Sequence, residues 1–169
     1  MALTKLNNQS LSAVTSAGLP SGTVLQVQSA TQTSTTTMTT STYADVSGMS
    51  VSITPSSTSS KILVLVNMHV NPANGVGVLW KLLRGSTDIA VNNASSISTG
   101  GHYSDTGGSA SNVWSGNSVS HLDSPSTTSA TTYKVQARAT SSATFGINRR
   151  TTSGDFGGVS TITVMEIAG

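Results

Sequence analysis

Residues 61–70 read KILVLVNMHV and decide the fold of this chain. The first half of the run is apolar at consecutive positions, so a strand here would have two apolar faces. Such a strand is typical of the middle of a sheet that is covered on both sides. The continuous apolar stretch, residues 62–66, is far too short to cross a bilayer, so we expect no membrane insertion.

Shorter runs with a period of two lie on both sides of this segment. The clearest is residues 133–139, YKVQARA, in which apolar and polar residues alternate. Turn residues separate the runs at about ten-residue spacing, and no stretch of useful length has a helical period. The predicted strands are residues 23–28, 43–46, 49–53, 61–70, 76–83, 88–91, 112–121, 133–139, 143–148 and 159–167.

This pattern predicts an all-β protein with a jelly-roll-like antiparallel β-sandwich and a short extended N-terminal arm. The segment 29–42 is a Thr-rich bridge, part of which can still pair. Residues 92–111 are expected to form a long polar loop. Residues 84–87, RGST, are expected to turn a hairpin.

The composition excludes several classes of protein. Serine and threonine supply 57 of the 169 residues, and only 8% are charged, which excludes a coiled coil or a helical bundle. The net charge is +2 and the cations are spread thinly, so nucleic acid is not an expected partner. The absence of cysteine excludes disulfides and thiolate chemistry.

The first 22 residues differ from the rest of the chain. Residues 18–22, GLPSG, are a breaker cluster that separates an arm, 1–22, from a β-sandwich domain, 23–169. The arm lacks the continuous apolar core that a secretion signal has, so we expect the protein to be made and folded in a cytoplasm. It is either a flexible extension or an anchor that docks on another protein. As an anchor it would use its sparse apolar residues, Leu3, Leu6, Leu11 and Val14.

Residues that could support catalysis are scattered. The six acids occur singly, and the serines are too numerous for any triad to be recognised. We therefore predict no enzyme activity, no catalytic residues and no cofactor. The three histidines lack metal-ligand spacing, so no metal is expected in one subunit. The single route to a metal would be a trimer axis that gathers three copies of His69.

Exposed aromatic residues in loops are the other candidates for function, because sugars stack on aromatic rings. Tyr103 lies in the long polar loop beside His102 and Asp105, and Trp114 lies near the end of that loop. These four residues are a candidate contact for a glycan or a receptor. The alternative, which is more common for large aromatic side chains, is that they pack within the subunit or against a neighbour.

Two strands, 62–70 and 159–167, are apolar on both faces, and a small sandwich can cover only one face of each. The second face is therefore expected to pack against another copy of the chain, and we predict a homotrimer.

Two resemblances support this expectation. The hairpin residues 78–90, VLWKLLRGSTDIA, and the closing residues 161–167, TITVMEI, resemble the trimeric jelly rolls of the tumour necrosis factor and complement-head class. A closer resemblance is to small structural proteins of tailed bacteriophages, especially marine and cyanobacterial phages. It is carried by residues 21–27 (SGTVLQV), 53–64 (ITPSSTSSKILV), 83–87 (LRGST), 122–125 (LDSP) and 162–167 (ITVMEI).

The phage resemblance implies a virion protein, assembled in the host cytoplasm, that binds other capsid or tail proteins. It implies either a capsid decoration protein or a short fibre, and the short segment before the sandwich favours decoration. The alternative is a tail fibre tip that binds a receptor or host surface glycan. A rival is a glycan-processing enzyme that would use acids such as Asp105 and Asp123.

Overall fold

A computed structural model of the chain describes residues 19–95, 97–104, 115–151, 153 and 157–169. These residues form two antiparallel β-sheets that pack face to face, and the described part of the chain contains no helix. The strands are β1 (Val24–Gln32), β2 (Thr36–Thr39), β3 (Ala44–Ile53), β4 (Lys61–Asn71), β5 (Gly77–Arg84), β6 (Thr87–Ile89), β7 (Gly100–Tyr103), β8 (Ser115–Asp123), β9 (Thr131–Ala139), β10 (Thr144–Ile147) and β11 (Ser160–Ile167).

Sheet A is organised around β4, which is hydrogen-bonded along both edges. One edge pairs with β8 from Ile62 to Val70. The other edge pairs with β11 and, at Val70 and Asn71, with β10. The central position predicted for residues 61–70 is therefore confirmed.

Strands β10 and β11 lie end to end along the same edge of β4. Strands β1 and β2 likewise follow one another, β1 beside β11 and β2 beside β10. The chain leaves the sheet between β10 and β11 at Asn148, which is fully buried and has a φ of 56°. Its side-chain amide donates to the Gln32 carbonyl at 2.6 Å and accepts from the Ser160 hydroxyl at 2.7 Å. Asn148 thus supplies the hydrogen bonds that the interrupted ladder lacks at this level.

Sheet B has the order β3, β9, β5, with β6 and β7 sharing the last edge of β5. When the end-to-end pairs β1 with β2, β10 with β11 and β6 with β7 are each counted as one row, each sheet has four rows. Successive rows along the chain alternate between the sheets, apart from β5 and its neighbours β6 and β7. This is a jelly-roll order, so the predicted fold class is confirmed.

The core lies between the sheets and is built by alternate residues of each strand. From β4 it receives Ile62, Val64, Val66, Met68 and Val70, all with at most 2% of their surface exposed. The largest buried side chains that meet them are Trp80, Tyr133 and Phe145. Tight packing of this kind supplies most of the driving force for folding.

Two strand predictions were wrong. The segments predicted as two strands, 43–46 and 49–53, form one strand, β3, which begins at Ala44, because Ser47 and Gly48 form a bulge within it instead of ending it. Gly48 has a φ of 77°, and the Gln32 side-chain amide donates to the Ser47 carbonyl at 2.7 Å. The extra residues bring Val46 and Met49 to the same buried face.

The predicted loop 92–111 contains strand β7, which sequence reasoning missed because its first residues are glycines. Gly100 lies opposite Trp80, and a Cβ at Gly100 would come within 2.8 Å of the indole ring. Glycine is thus required by close packing at a position where it normally argues against a strand. The turn at residues 84–87 was predicted correctly, with Gly85 at a φ of 59°.

The chain enters the sandwich beside its own last strand. The backbone N–H of Gly22 donates to the carbonyl of Ala168 at 2.8 Å, and the N–H of Ala168 donates to the carbonyl of Thr23 at 2.8 Å. Residues 20–23 form a turn in which the Thr23 hydroxyl donates to the Pro20 carbonyl at 2.7 Å. Residues 20–23 therefore lie at the end of sheet A where β11 finishes.

Candidate interaction surface

The outward side of β1, β11, β4 and β8 is called here the outer A face. The strand register places one residue from each strand in a row across it, the apolar row: Val27, Met165, Leu63 and Leu122. Val27 and Leu122 are 49% and 56% exposed, and the two residues between them are half-buried. The next row across the face, towards the end of β11, consists of Val24, Ile167 and Lys61. The apolar row therefore crosses the full width of the outer A face.

A shallow hollow lies beside the apolar row on the same face. Its volume is about 460 Å³, and its lining includes Leu65, Asn67, Ser118, Ser120, Thr161 and Thr163. The serine and threonine side chains are short, so they leave room above the sheet. The outer A face thus presents a projecting apolar side chain, Leu122, and a concave region next to it.

The outward side of sheet B, called the outer B face, is charged. Lys134 pairs with Asp45 at 2.9 Å, and Lys81 pairs with Asp88 at 2.7 Å. The ammonium of Lys81 and the guanidinium of Arg138 lie 4.6 Å and 5.3 Å from the ring centre of Tyr43. The hydroxyl of Tyr43 donates to the carbonyl of Ile97.

Sequence reasoning placed cations on the outward side of β9 but did not find the Tyr43 cluster. The alternation of residues 133–139 indicates which way Arg138 points. No local pattern indicates that Tyr43, which precedes β3, lies over side chains from β5 and β9. That contact depends on the strand order of sheet B.

The four residues of the predicted glycan or receptor contact are only partly described. Asp105 and Trp114 lie outside the described residues. His102 and Tyr103 are consecutive in β7 and therefore project to opposite sides of sheet B. Tyr103 is 62% exposed on the outer side, whereas the ring of His102 lies on the core side, where burial lowers its pKa. A contact centred on Tyr103 would not include the ring of His102.

The proposed arm residues Leu3, Leu6, Leu11 and Val14 also lie outside the described residues. His69, the candidate for a metal on a trimer axis, lies on the outer A face, where its ring Nε2 is 3.3 Å from the Asn67 amide nitrogen. In the described part of the chain no three His, Asp or Glu side chains are grouped so that they could hold a metal ion. The same residues include no helix long and apolar enough to cross a membrane.

Asp123, one of the acids considered for catalysis, joins the two sheets. Its carboxylate accepts from one guanidinium nitrogen of Arg84, at 2.8 Å and 2.9 Å to its two oxygens. It also accepts from the hydroxyl of Tyr133 at 2.7 Å. Burial and this hydrogen bond raise the pKa of Tyr133 well above its ordinary value. Asp123 ends β8 in sheet A, whereas Arg84 and Tyr133 belong to sheet B, so the network fastens one end of the sandwich.

Glu166 is fully buried on the core side of β11, and its described partners are uncharged. Oε1 accepts from the backbone N–H of Ser56 at 2.6 Å and from the hydroxyls of Ser56 and Ser60 at 2.7 Å each. Oε2 accepts from the side-chain amide of Gln26 at 2.6 Å. The loop 54–60 therefore encloses the carboxylate of Glu166.

Burial by itself would raise the pKa of Glu166. The hydrogen bonds donated by Ser56, Gln26 and Ser60 outweigh that effect and hold the pKa below its ordinary value. Glu166 is thus an ionised carboxylate that organises one end of the sandwich. Asp123 and Glu166 both lie in register with Ile62, at the same end of sheet A, and each binds parts of the protein to one another.

Comparison with known proteins gives no match to any family model or to any curated protein.

The Asp123 network predicts a large difference between two conservative substitutions. We expect Asp123→Asn to lower the free energy of unfolding by about 1.5–3 kcal/mol, because an amide nitrogen would face Arg84 or Tyr133. The matched control Asp45→Asn removes an exposed ion pair and should cost less than about 1 kcal/mol. Urea unfolding measures both values. Equal costs for the two variants would show that the network does not fasten the sheets.

The Glu166 site predicts a specific pH dependence. Because its pKa is lower in the folded than in the unfolded chain, ionised Glu166 stabilises the fold above about pH 4.3. That contribution is lost as the pH falls through the folded-state pKa. We expect Glu166→Gln to be less stable at pH 7 and to lose less stability than the wild type between about pH 5 and pH 2.

The control for this experiment is Asp45→Asn. Hydrogen bonds from Gln136 and then Lys134 lower the pKa of Asp45 as well, but its carboxylate is exposed and solvent screens its interactions. The stability of Asp45→Asn should therefore fall nearly as much as that of the wild type between about pH 5 and pH 2. A loss of stability in Glu166→Gln equal to that of the wild type over this range would contradict the role assigned to Glu166.

Proposed function

We propose that this protein is a structural component of a bacteriophage virion, a surface-exposed homotrimer that serves as a capsid decoration protein or a short fibre. The observation that carries the proposal is the jelly-roll sandwich whose outer A face has an apolar row across four strands and one charged side chain, Lys61, at its margin. An exposed apolar row across four strands is typical of a surface that contacts another molecule. The sequence resemblance to small structural proteins of tailed phages supplies the virion assignment.

The carboxylates support a structural role over an enzymatic one. A glycosidase needs two carboxyl groups that face a substrate across a cleft. Asp123 is held by Arg84 and Tyr133, and Glu166 accepts four hydrogen bonds inside the sandwich. These carboxylates stabilise the domain, and a substrate could not replace their partners without opening it. We accordingly propose that the protein is not an enzyme and needs no cofactor.

Attachment to the particle is assigned to the N-terminal arm, residues 1–22, whose last residue is hydrogen-bonded to Ala168 beside the end of β11. An extended segment can add to an exposed strand edge of another protein without a preformed surface. Linking three such segments in a trimer raises their effective concentration at the particle. The anchoring residues in this proposal are Leu3, Leu6, Leu11 and Val14.

The test compares particles assembled with the full chain and with a chain that lacks residues 2–18. This deletion keeps the turn at residues 20–23 and its hydrogen bonds to Ala168. We expect the shortened protein to fold and to keep the assembly state of the full chain but to be absent from purified particles. Mass spectrometry of the particles and circular dichroism of the free protein measure the two properties.

A length-matched control carries serine at positions 3, 6, 11 and 14. It should be lost from particles to the same extent if apolar contacts anchor the arm. Normal occupancy of the shortened protein would contradict the attachment proposal and would place the attachment surface on the sandwich. Absence of the full chain from the particle would contradict the virion assignment itself.

A second candidate function is glycan binding, and one observation favours it: Tyr103 is 62% exposed on the outer side of sheet B. An exposed tyrosine offers a flat apolar surface on which a sugar ring can stack. If the protein is a fibre tip of this kind, Tyr103→Ala should abolish binding on a glycan array. The control Leu122→Ala, on the opposite sheet, should leave it intact. Absence of any bound glycan with the wild-type protein would exclude this candidate.

A further inference from the structure

The two outward faces of the sandwich differ sharply in charge. Among the outward residues of β1, β11, β4 and β8, the one charged side chain is Lys61, which lies at the margin and donates to the Ser124 hydroxyl at 2.8 Å. The outer B face carries five charged side chains: Asp45, Lys81, Asp88, Lys134 and Arg138. The charges of the described strands are therefore concentrated on the face that lacks the apolar row.

From this asymmetry we propose that copies of this chain associate through the outer A face, with the apolar row at the centre of the contact. The inference rests on the proposed function, because it names the surface by which the proposed assembly is held together. The occupant of the face is a second copy of the same chain.

Electrostatics favours a second copy as the occupant. Two outer A faces can approach without burying an unpaired charge, since Lys61 lies at the margin of the face. Two outer B faces would have to remove two ion pairs and the Arg138 guanidinium of each copy from water, and desolvating charged groups is costly. A strongly charged partner, by contrast, would find no complementary group on the outer A face.

The shape of the face also suits a copy of itself. Leu122 projects from one margin of the sheet and is 56% exposed. The hollow of about 460 Å³ lies beside the row, with Leu65 in its lining. The projecting leucine of one copy can enter the hollow of the next, where Leu65 offers an apolar contact among short serine and threonine side chains. Buried apolar anchors of this kind dominate the binding energy of protein interfaces.

Association through the outer A face would also explain why the central strand β4 has apolar residues that are only half-buried. Scattered surface leucines need no explanation, because much of any protein surface is apolar. Here Leu63 lies on the middle strand of sheet A, and the register puts Met165 and Leu122 on either side of it. A continuous row of this kind marks an interaction site.

The experiment measures the mass of the purified full chain and of its variants at about 10 μM by light scattering and analytical ultracentrifugation. Leu122→Lys and Val27→Lys place a charge at either end of the row, at positions exposed enough to leave the fold intact. Ser118→Arg fills the hollow independently. The matched control is Ile97→Lys, which places lysine at an apolar position of similar exposure, 46%, away from the face.

We expect the wild type and Ile97→Lys to be multimers of equal mass. The row variants should have dissociation constants raised at least ~30-fold, with unchanged circular dichroism, and Ser118→Arg should weaken association as well. A dimer and a trimer would both support the face, but a dimer would contradict the homotrimer of the proposed function. The two proposals can therefore fail separately.

Three outcomes would overturn the inference. A wild-type chain that is monomeric at this concentration would show that no second copy covers the face. Row variants with the same mass as Ile97→Lys would place the contact elsewhere while leaving the assembly intact. A chain that associates only after residues 2–18 are deleted would show that its own N-terminal segment covers the face instead.

Discussion

The double pairing of β4 is the constraint on which the rest of the structure depends. Because both of its edges are hydrogen-bonded, β4 fixes the positions of β8, β10 and β11, and β11 in turn fixes β1. The alternation of side chains along β4 then directs one set of residues into the core and the other to the outer A face. A shift of one residue in this register would exchange the two sets.

This constraint explains why the two faces of the sandwich have different chemistry. Strands β4 and β11 are apolar on both sides where they pair around Leu63 and Met165, so this part of the exterior of sheet A is apolar. Strand β9 alternates strictly, so sheet B is covered by Lys134, Gln136 and Arg138. In the proposed assembly, the charged sheet stays in solvent and the apolar row of sheet A provides the contact between copies.

The ends of the sandwich are closed by polar groups because few apolar residues are available there. Arg84, Asp123 and Tyr133 join the sheets at one site, and Glu166 binds the 54–60 loop to β1 and β11 at another. Asn148 hydrogen-bonds to Gln32 of β1 and to Ser160 of β11 at the point where β10 and β11 separate. These buried polar groups are satisfied by hydrogen bonds, which is the condition under which burial does not destabilise a fold. The chain has no cysteine, so it cannot close these sites with disulfides.

The sequence by itself determined what depends on neighbouring residues. Period-two runs identified most strands, the apolar run 61–70 identified the central one, and Gly85 identified a hairpin. Only the tertiary structure decided which strands pair. Pairing brings Glu166 to Ser56, 110 residues away, and to Gln26, 140 residues away. It also gives Gly100 a place in a strand, because the ring of Trp80 occupies the space where a side chain would be. Such contacts arise from strand order and register, which alternation along a single strand cannot specify.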